Sequence, residues 1–147
     1  MSTPSQEDQF RRLAYEIQLM QGTAETLQQR LAILQSAVTD LTVARESLAG
    51  LKEIEEGVPI LVPAGGGTFV NANLGDPEKV IVNIGADVSI DMGLEGAQED
   101  IAGRLDELLK SSQATQQQLE EVVAQMQIRR DALNRLSAGL GGETPGV

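Results

Sequence analysis

The sequence predicts an α+β chain, a long antiparallel coiled-coil hairpin with two β-hairpins at its closed end. Three observations predict it. Apolar residues recur at a spacing of 3.5 through the first third of the chain and again through the last. Between these stretches the period falls to two, and turn residues separate four short β-prone runs. The 147 residues are 41% hydrophobic yet hold only one Tyr, two Phe and no Trp. Compact cores draw much of their buried area from large rings, so aliphatic seams between long rods fit this composition better than a ball.

The first rod is expected over about residues 4–50. Its seam reads Phe10, Leu13, Ile17, Met20, Ala24, Leu27, Leu31, Leu34, Val38, Leu41 and Leu48, with Arg45 the one polar member. That is a heptad pattern sustained for about five repeats. Thr3-Pro4-Ser5-Gln6 supplies a start, with Thr3 as N-cap and Pro4 in the first helical position. Gly50 supplies a stop. Gly22, inside the pattern, costs about 1 kcal/mol relative to Ala.

The strand block, about residues 58–92, carries four runs: Pro59 to Val62, Thr68 to Leu74, Lys79 to Ile84, and Val88 to Met92. Gly65-Gly66-Gly67, Gly75-Asp76-Pro77-Glu78 and Gly85-Ala86-Asp87 separate them, giving two successive hairpins. Val80, Val82 and Ile84 are expected on one face and Ile81 on the other. Rods that point away from such a sheet cannot cover it, and short hairpins with open edges are marginal in water. Association with neighbouring chains is therefore expected, through Ile60, Val62, Phe69, Val70, Val80, Ile81, Val82 and Ile84, by closing a sheet or barrel.

The second rod is expected over about 94–138. Leu94, Ile101, Leu105, Leu108, Leu119, Val122, Met126, Leu133, Leu136 and Leu140 share one register, broken by Gln98, Ser112, Thr115 and Arg129. Residues 139–147 read as a disordered tail. Rods of roughly 40 to 45 residues would be about 60 to 70 Å long. Folded back on each other in a single domain spanning 1–147, they bring both chain termini to the tip far from the strands.

Charge and residue usage narrow the function classes. The formal net charge is -11, which repels phosphate backbones and anionic lipid, so neither nucleic acid nor membrane is an expected partner. Without His or Cys there is no imidazole base, thiolate nucleophile or tetrahedral zinc site. No basic-then-apolar leader or run of roughly 20 apolar residues is present, and the expected location is cytoplasmic. The triple glycine invites comparison with a phosphate-binding loop, but that loop needs a nearby Lys and a following helix. Here Thr68-Phe69-Val70, a strand, follows, so the glycines read as a bend. Glu99-Asp100 and Glu120-Glu121 are adjacent pairs, which point in different directions on a helix. No catalytic, metal or cofactor residues are expected, and the chain reads as a non-enzyme.

Gly57-Val58-Pro59-Ile60-Leu61-Val62-Pro63, Gly67-Thr68-Phe69-Val70, Ala72, Asp76 and Lys79-Val80-Ile81-Val82-Asn83-Ile84-Gly85-Ala86 resemble the alpha-subunit family of archaeal prefoldins. The layout of nearly the whole chain is similar too, and two hairpins rather than one suit the alpha class. The sequence departs from the family at Ser89-Ile90-Asp91, where an aromatic and a glutamate are usual.

The resemblance implies an ATP-independent chaperone. Two alpha and four beta subunits would form a hexamer with a double β-barrel platform and six coiled-coil tentacles. The tips would hold unfolded client proteins and pass them to a group II chaperonin. At the tip the paired seam runs out of partners, so Phe10, Leu13 and Ile17, facing Leu133, Leu136 and Leu140, are the expected client-binding residues. The alternative reading is a structural coiled-coil adaptor that tethers two fixed protein partners.

Overall fold

The computed structural model describes the backbone of residues 5–141 and the side chains of residues 5–139. Its elements run α1 (Gln6–Leu51), β1 (Pro59–Gly65), β2 (Thr68–Asn73), β3 (Lys79–Gly85), β4 (Val88–Gly93) and α2 (Leu94–Gly141). Two long helices and two antiparallel hairpins are the fold class that the sequence predicts.

The α1 N-terminus is fixed by Ser5. Its Oγ accepts the Asp8 N–H at 3.1 Å and its carbonyl accepts the Gln9 N–H at 3.0 Å, the bonds an N-cap supplies to otherwise unpaired donors. Glu7 and Asp8 place negative charge in the first turn, where the helix dipole favours it. The expected cap at Thr3 and Pro4 lies outside the described residues, and the helix takes the next hydroxyl instead. At the other end α1 stops at Leu51, one residue past Gly50. Helix α2 continues through Gly139 to Gly141, further than the sequence suggests. The expected tail beyond it lies outside the described residues.

The chain divides into two compact units, one of residues 1–35 with 110–147 and one of residues 36–109. In the first, α1 and α2 run antiparallel. Arg129 Nε donates to Glu16 Oε2 at 2.9 Å, and further along α1, Ala24 and Gln28 share a groove with Val123 and Met126, earlier on α2. Ala24, Thr115 and Met126 are buried. The other described seam residues here are half-buried, from Phe10 to Leu34 on α1 and from Leu119 to Leu136 on α2. The polar Ser112 and Arg129 also keep their seam places and are half-buried, so the register continues through its polar interruptions.

In the second unit, Leu94, Ala97, Ile101 and Leu105 of α2 are buried, and so is Val82 of β3, at 8% exposure. This corrects the expectation that the helices leave the sheet uncovered. One face of β3 lies against the helices of its own chain. Leu41 and Leu48 of α1, Val80 and Val82 of β3, and Ile101 of α2 line a common apolar groove. Arg104 Nη1 donates to the Asn83 carbonyl at 2.8 Å, tying β3 to α2. Burying a valine of this kind is worth about 1.5–3 kcal/mol. Arg45 is exposed rather than in the seam, while Ala44 and Leu48 are half-buried. A guanidinium gains more from water than from an apolar wall.

The hairpins are two copies of one design, offset by 20 residues. In the first Pro59 pairs with Asn73, Val62 with Val70 and Gly65 with Thr68; in the second Lys79 pairs with Gly93, Val82 with Ile90 and Gly85 with Val88. The register shifts between Pro63 and Gly65, and equivalently between Asn83 and Gly85. The extra residues, Ala64 and Ile84, interrupt the alternation of faces. Ile84 is thus exposed, not aligned with Val80 and Val82 as strict alternation predicts. The first turn uses Gly66 and Gly67, at φ 58 and 76, as a two-residue connection with positive φ at both positions requires. The second makes the same turn with Ala86 and Asp87, at φ 50 and 59. The last carbonyl before β3, that of Glu78, accepts the Leu94 N–H at 2.8 Å, which starts α2 as β4 ends.

Candidate binding and assembly surfaces

Two sets of apolar side chains stand out, one in each unit. In the first unit, Phe10, Leu13 and Ile17 on α1 and Leu133 and Leu136 on α2 are all half-buried. The Glu16–Arg129 bond fixes the level at which the helices meet: Ile17 follows Glu16, and Leu133 stands one turn beyond Arg129. Leu140, the sixth expected tip residue, falls outside the described side chains. Each of the five retains apolar surface within reach of solvent, so further burial would be favourable by about 25 cal/mol per Å².

In the second unit the eight expected assembly residues fall into two groups. Val82 is buried, and Ile60 and Val80 are half-buried. Ile81 is 74% exposed and Phe69 56%, and Val62, Val70 and Ile84 are exposed as well. Leu61, Val88 and Ile90, which sequence reasoning passed over, add to this surface. The signal was available, since all three lie in the β-prone runs, Leu61 between two chosen residues and Val88 and Ile90 in the fourth run. A concentration of this kind on two short hairpins marks an interaction surface.

Strand β1 pairs only with β2, and its prolines, Pro59 and Pro63, have no N–H to offer a further strand. Strands β2, β3 and β4 contain no proline, but on β3 the Lys79 and Gly85 N–H groups already donate to the Asp76 carbonyl and to Asn83 Oδ1, and the Asn83 carbonyl accepts from Arg104. An added strand therefore finds β2 and β4 free of proline, whereas β1 is blunted by its prolines and β3 in part by bonds within the chain.

The triple glycine forms the turn described above, and Gly67 leads directly into β2. A phosphate cradle would need a helix there. Of the adjacent carboxylates, Asp100 pairs with Arg104 at 2.9 Å on its own helix, and Glu120 accepts from Gln116 at 3.2 Å. No helix among the described residues is long and apolar enough to cross a membrane.

Sequence reasoning also missed Tyr15 and Leu19, both exposed and one turn apart on the side of α1 away from its seam. It treated Arg129 as an interruption and did not find its partner Glu16. Only a pairing of the helices in register reveals that bond.

A family model described as "Prefoldin subunit" matches residues 20–139. The chain is similar to proteins named "Prefoldin subunit alpha" from archaea. It is 34% identical to that of Pyrococcus horikoshii over 122 residues, covering 80% of this chain and 82% of the relative. It is 30% identical to that of Thermofilum pendens over 115 residues, covering 78% and 89%. Among solved structures it resembles a chain of the filamentous PFD of Methanocaldococcus jannaschii, seen by cryo-EM. The TM-score is 0.67 and the identity 24%, over 77% of this chain and 93% of that one.

Proposed function

Because this chain belongs to the prefoldin family, a family of chaperone subunits, we propose that it acts as an ATP-independent holdase. It captures unfolded proteins on the terminal seam of its two helices and delivers them to a group II chaperonin. It does so from a cytoplasmic hexamer of two alpha and four beta subunits, in which this chain is an alpha subunit. No catalytic step belongs to this reading.

The observation that carries it is the place of Phe10, Leu13, Ile17, Leu133 and Leu136, at and beyond the level of the Glu16–Arg129 bond near the helix ends, combined with the half-burial they share with the rest of this seam. Seam residues closed against a partner helix would offer a client nothing. These five keep accessible apolar area while remaining anchored on helices. A client segment with exposed aliphatic or aromatic groups completes their burial without needing a particular shape or sequence. Each contact is weak. Several copies acting on one client raise the avidity through effective concentration.

Assembly follows from the other surface. Val82 and Val80 are covered within the chain, whereas Phe69, Val70, Ile81 and Ile84 face outward and gain from a neighbouring subunit's hairpins. The proline-free edges of β2 and β4 supply backbone donors and acceptors to the same neighbour.

Removing residues 1–12 together with 134–147 tests the reading. Client protection should be lost in an aggregation assay with several unrelated denatured proteins, while the hexamer keeps its subunit count. Full protection by the truncated complex would refute the assignment of the terminal seam. Protection restricted to one fixed protein would point to an adaptor instead.

A further inference from the structure

Three features coincide at one level of the first unit. Gly22 stands in the interior of α1, where glycine weakens a helix, and nothing lies within 4 Å of where its Cβ would be. No close approach therefore demands a glycine there. Thr23 and Thr26 turn their hydroxyls back onto the carbonyls of Leu19 at 3.2 Å and Gly22 at 3.1 Å, bonds that compete with the helical ladder and bend it. Thr42 and Ser47 make the same bond in the second unit, but without a mid-helix glycine beside them. Finally, a groove flanks the seam here, although Ala24 and Met126 are themselves buried. A partly open groove of about 250 Å³ adjoins Ala24 and Met126, edged by Gln21, Gln28, Val123 and Arg130.

On the terminal side of this level, the Glu16–Arg129 bond crosses from helix to helix at 2.9 Å. We propose that α1 is hinged at Gly22–Thr26, so that residues 5–21 swing away from α2 as one segment when the Glu16–Arg129 tie opens. Helix α2 has no glycine between Gly103 and Gly139, so it is the continuous rail from which the segment departs. The swing uncovers Phe10, Leu13, Ile17 and Met20 together with the facing apolar residues of α2. It enlarges the capture surface beyond what half-burial offers. That consequence rests on the client-binding reading above, whereas the motion does not.

Hydrogen exchange, measured by mass spectrometry on the full chain in its native complex, tests the hinge. Protection is expected to rise in a step between residues 21 and 27, not to climb gradually from the helix end. Gly22→Ala, for which the space is open, should slow exchange in residues 6–21 about fivefold and remove the step. Gln29→Ala, at an exposed position further along α1, should leave the step in place. Glu16→Gln should quicken exchange in the same segment by about threefold. A smooth profile, or a step that survives Gly22→Ala, would overturn the hinge. An aggregation assay on the same samples keeps the two ideas apart. Lost client protection with the step intact counts against the client reading alone, and a missing step with protection intact counts against the hinge alone.

Discussion

Arg129 and Glu16, 113 residues apart in the chain, are joined by a 2.9 Å hydrogen bond between Nε and Oε2. Both are only partly withdrawn from water, with side chains 26% and 33% exposed. Arg129 also reaches Gln125 Oε1 through Nη1 at 2.9 Å, and Arg12 approaches Glu16 at 3.6 Å. The pair does for the seam at this position what a leucine would do elsewhere, while also fixing the register of the two helices.

Removing Arg129 leaves Glu16 half-buried with only the longer 3.6 Å approach of Arg12. Arg129→Ala is expected to cost about 1 kcal/mol, near the upper end for pairs that water still screens. Glu16→Met combined with Arg129→Leu should cost less than the single change, because matched apolar groups remove both desolvation penalties. Urea midpoints of the three proteins at one concentration check this. A double variant weaker than Arg129→Ala would contradict it.

The two hairpin turns predict opposite responses to alanine and glycine. Ala86 holds φ 50 with a Cβ, while Gly66 holds φ 58 without one at the equivalent place. Ala86→Gly is expected to stabilise the second hairpin by about 1 kcal/mol, and Gly66→Ala to destabilise the first by about the same. No atom lies within 4 Å of a Cβ at Gly66, so backbone strain is the whole effect there. Melting temperatures of the two variants should move in opposite directions.

Neighbouring residues on β3 should separate folding from assembly. Ile81 is 74% exposed and Val82 8%. Ile81→Asp should leave helical circular dichroism unchanged and shift the native mass spectrum to smaller species. Val82→Asp places a charge against Leu41, Leu48 and Ile101 and should lower stability itself by about 3 kcal/mol or more. Equal effects from both would contradict the division of the hairpin into an inward and an outward face.

How much of this was legible in the sequence differs from element to element. The α1 seam was, because every described position from Phe10 to Leu41 is buried or half-buried, and a heptad pattern needs only local spacing to be seen. Arg45 was not, since its place depends on Leu48 and Ala44 lying toward β3 and α2. The hairpins were legible from their turn residues. The bulge at Ile84 was not, because Val80, Val82 and Ile84 alternate perfectly as letters and only pairing with β4 shows the slip. The covered face of β3 was missed for a related reason: strand patterning says which residues share a face, not what packs on it. The terminal seam could be placed by its heptad spacing, but the partial exposure of its described residues, and the Glu16–Arg129 tie beside it, needed both helices in place.

The central claim, that clients are captured on the seam near Phe10, Leu13 and Ile17 rather than on any exposed apolar residue of the helices, is tested most directly by site-specific photo-crosslinking. A photoreactive residue at position 13 is compared with one at position 33, where Ile33 is 71% exposed on the same helix, in the native complex with an unfolded protein added. Crosslinks to the unfolded protein from position 13, and few or none from position 33, are the predicted result. Equal yields from both positions, or a higher yield from position 33, would contradict it.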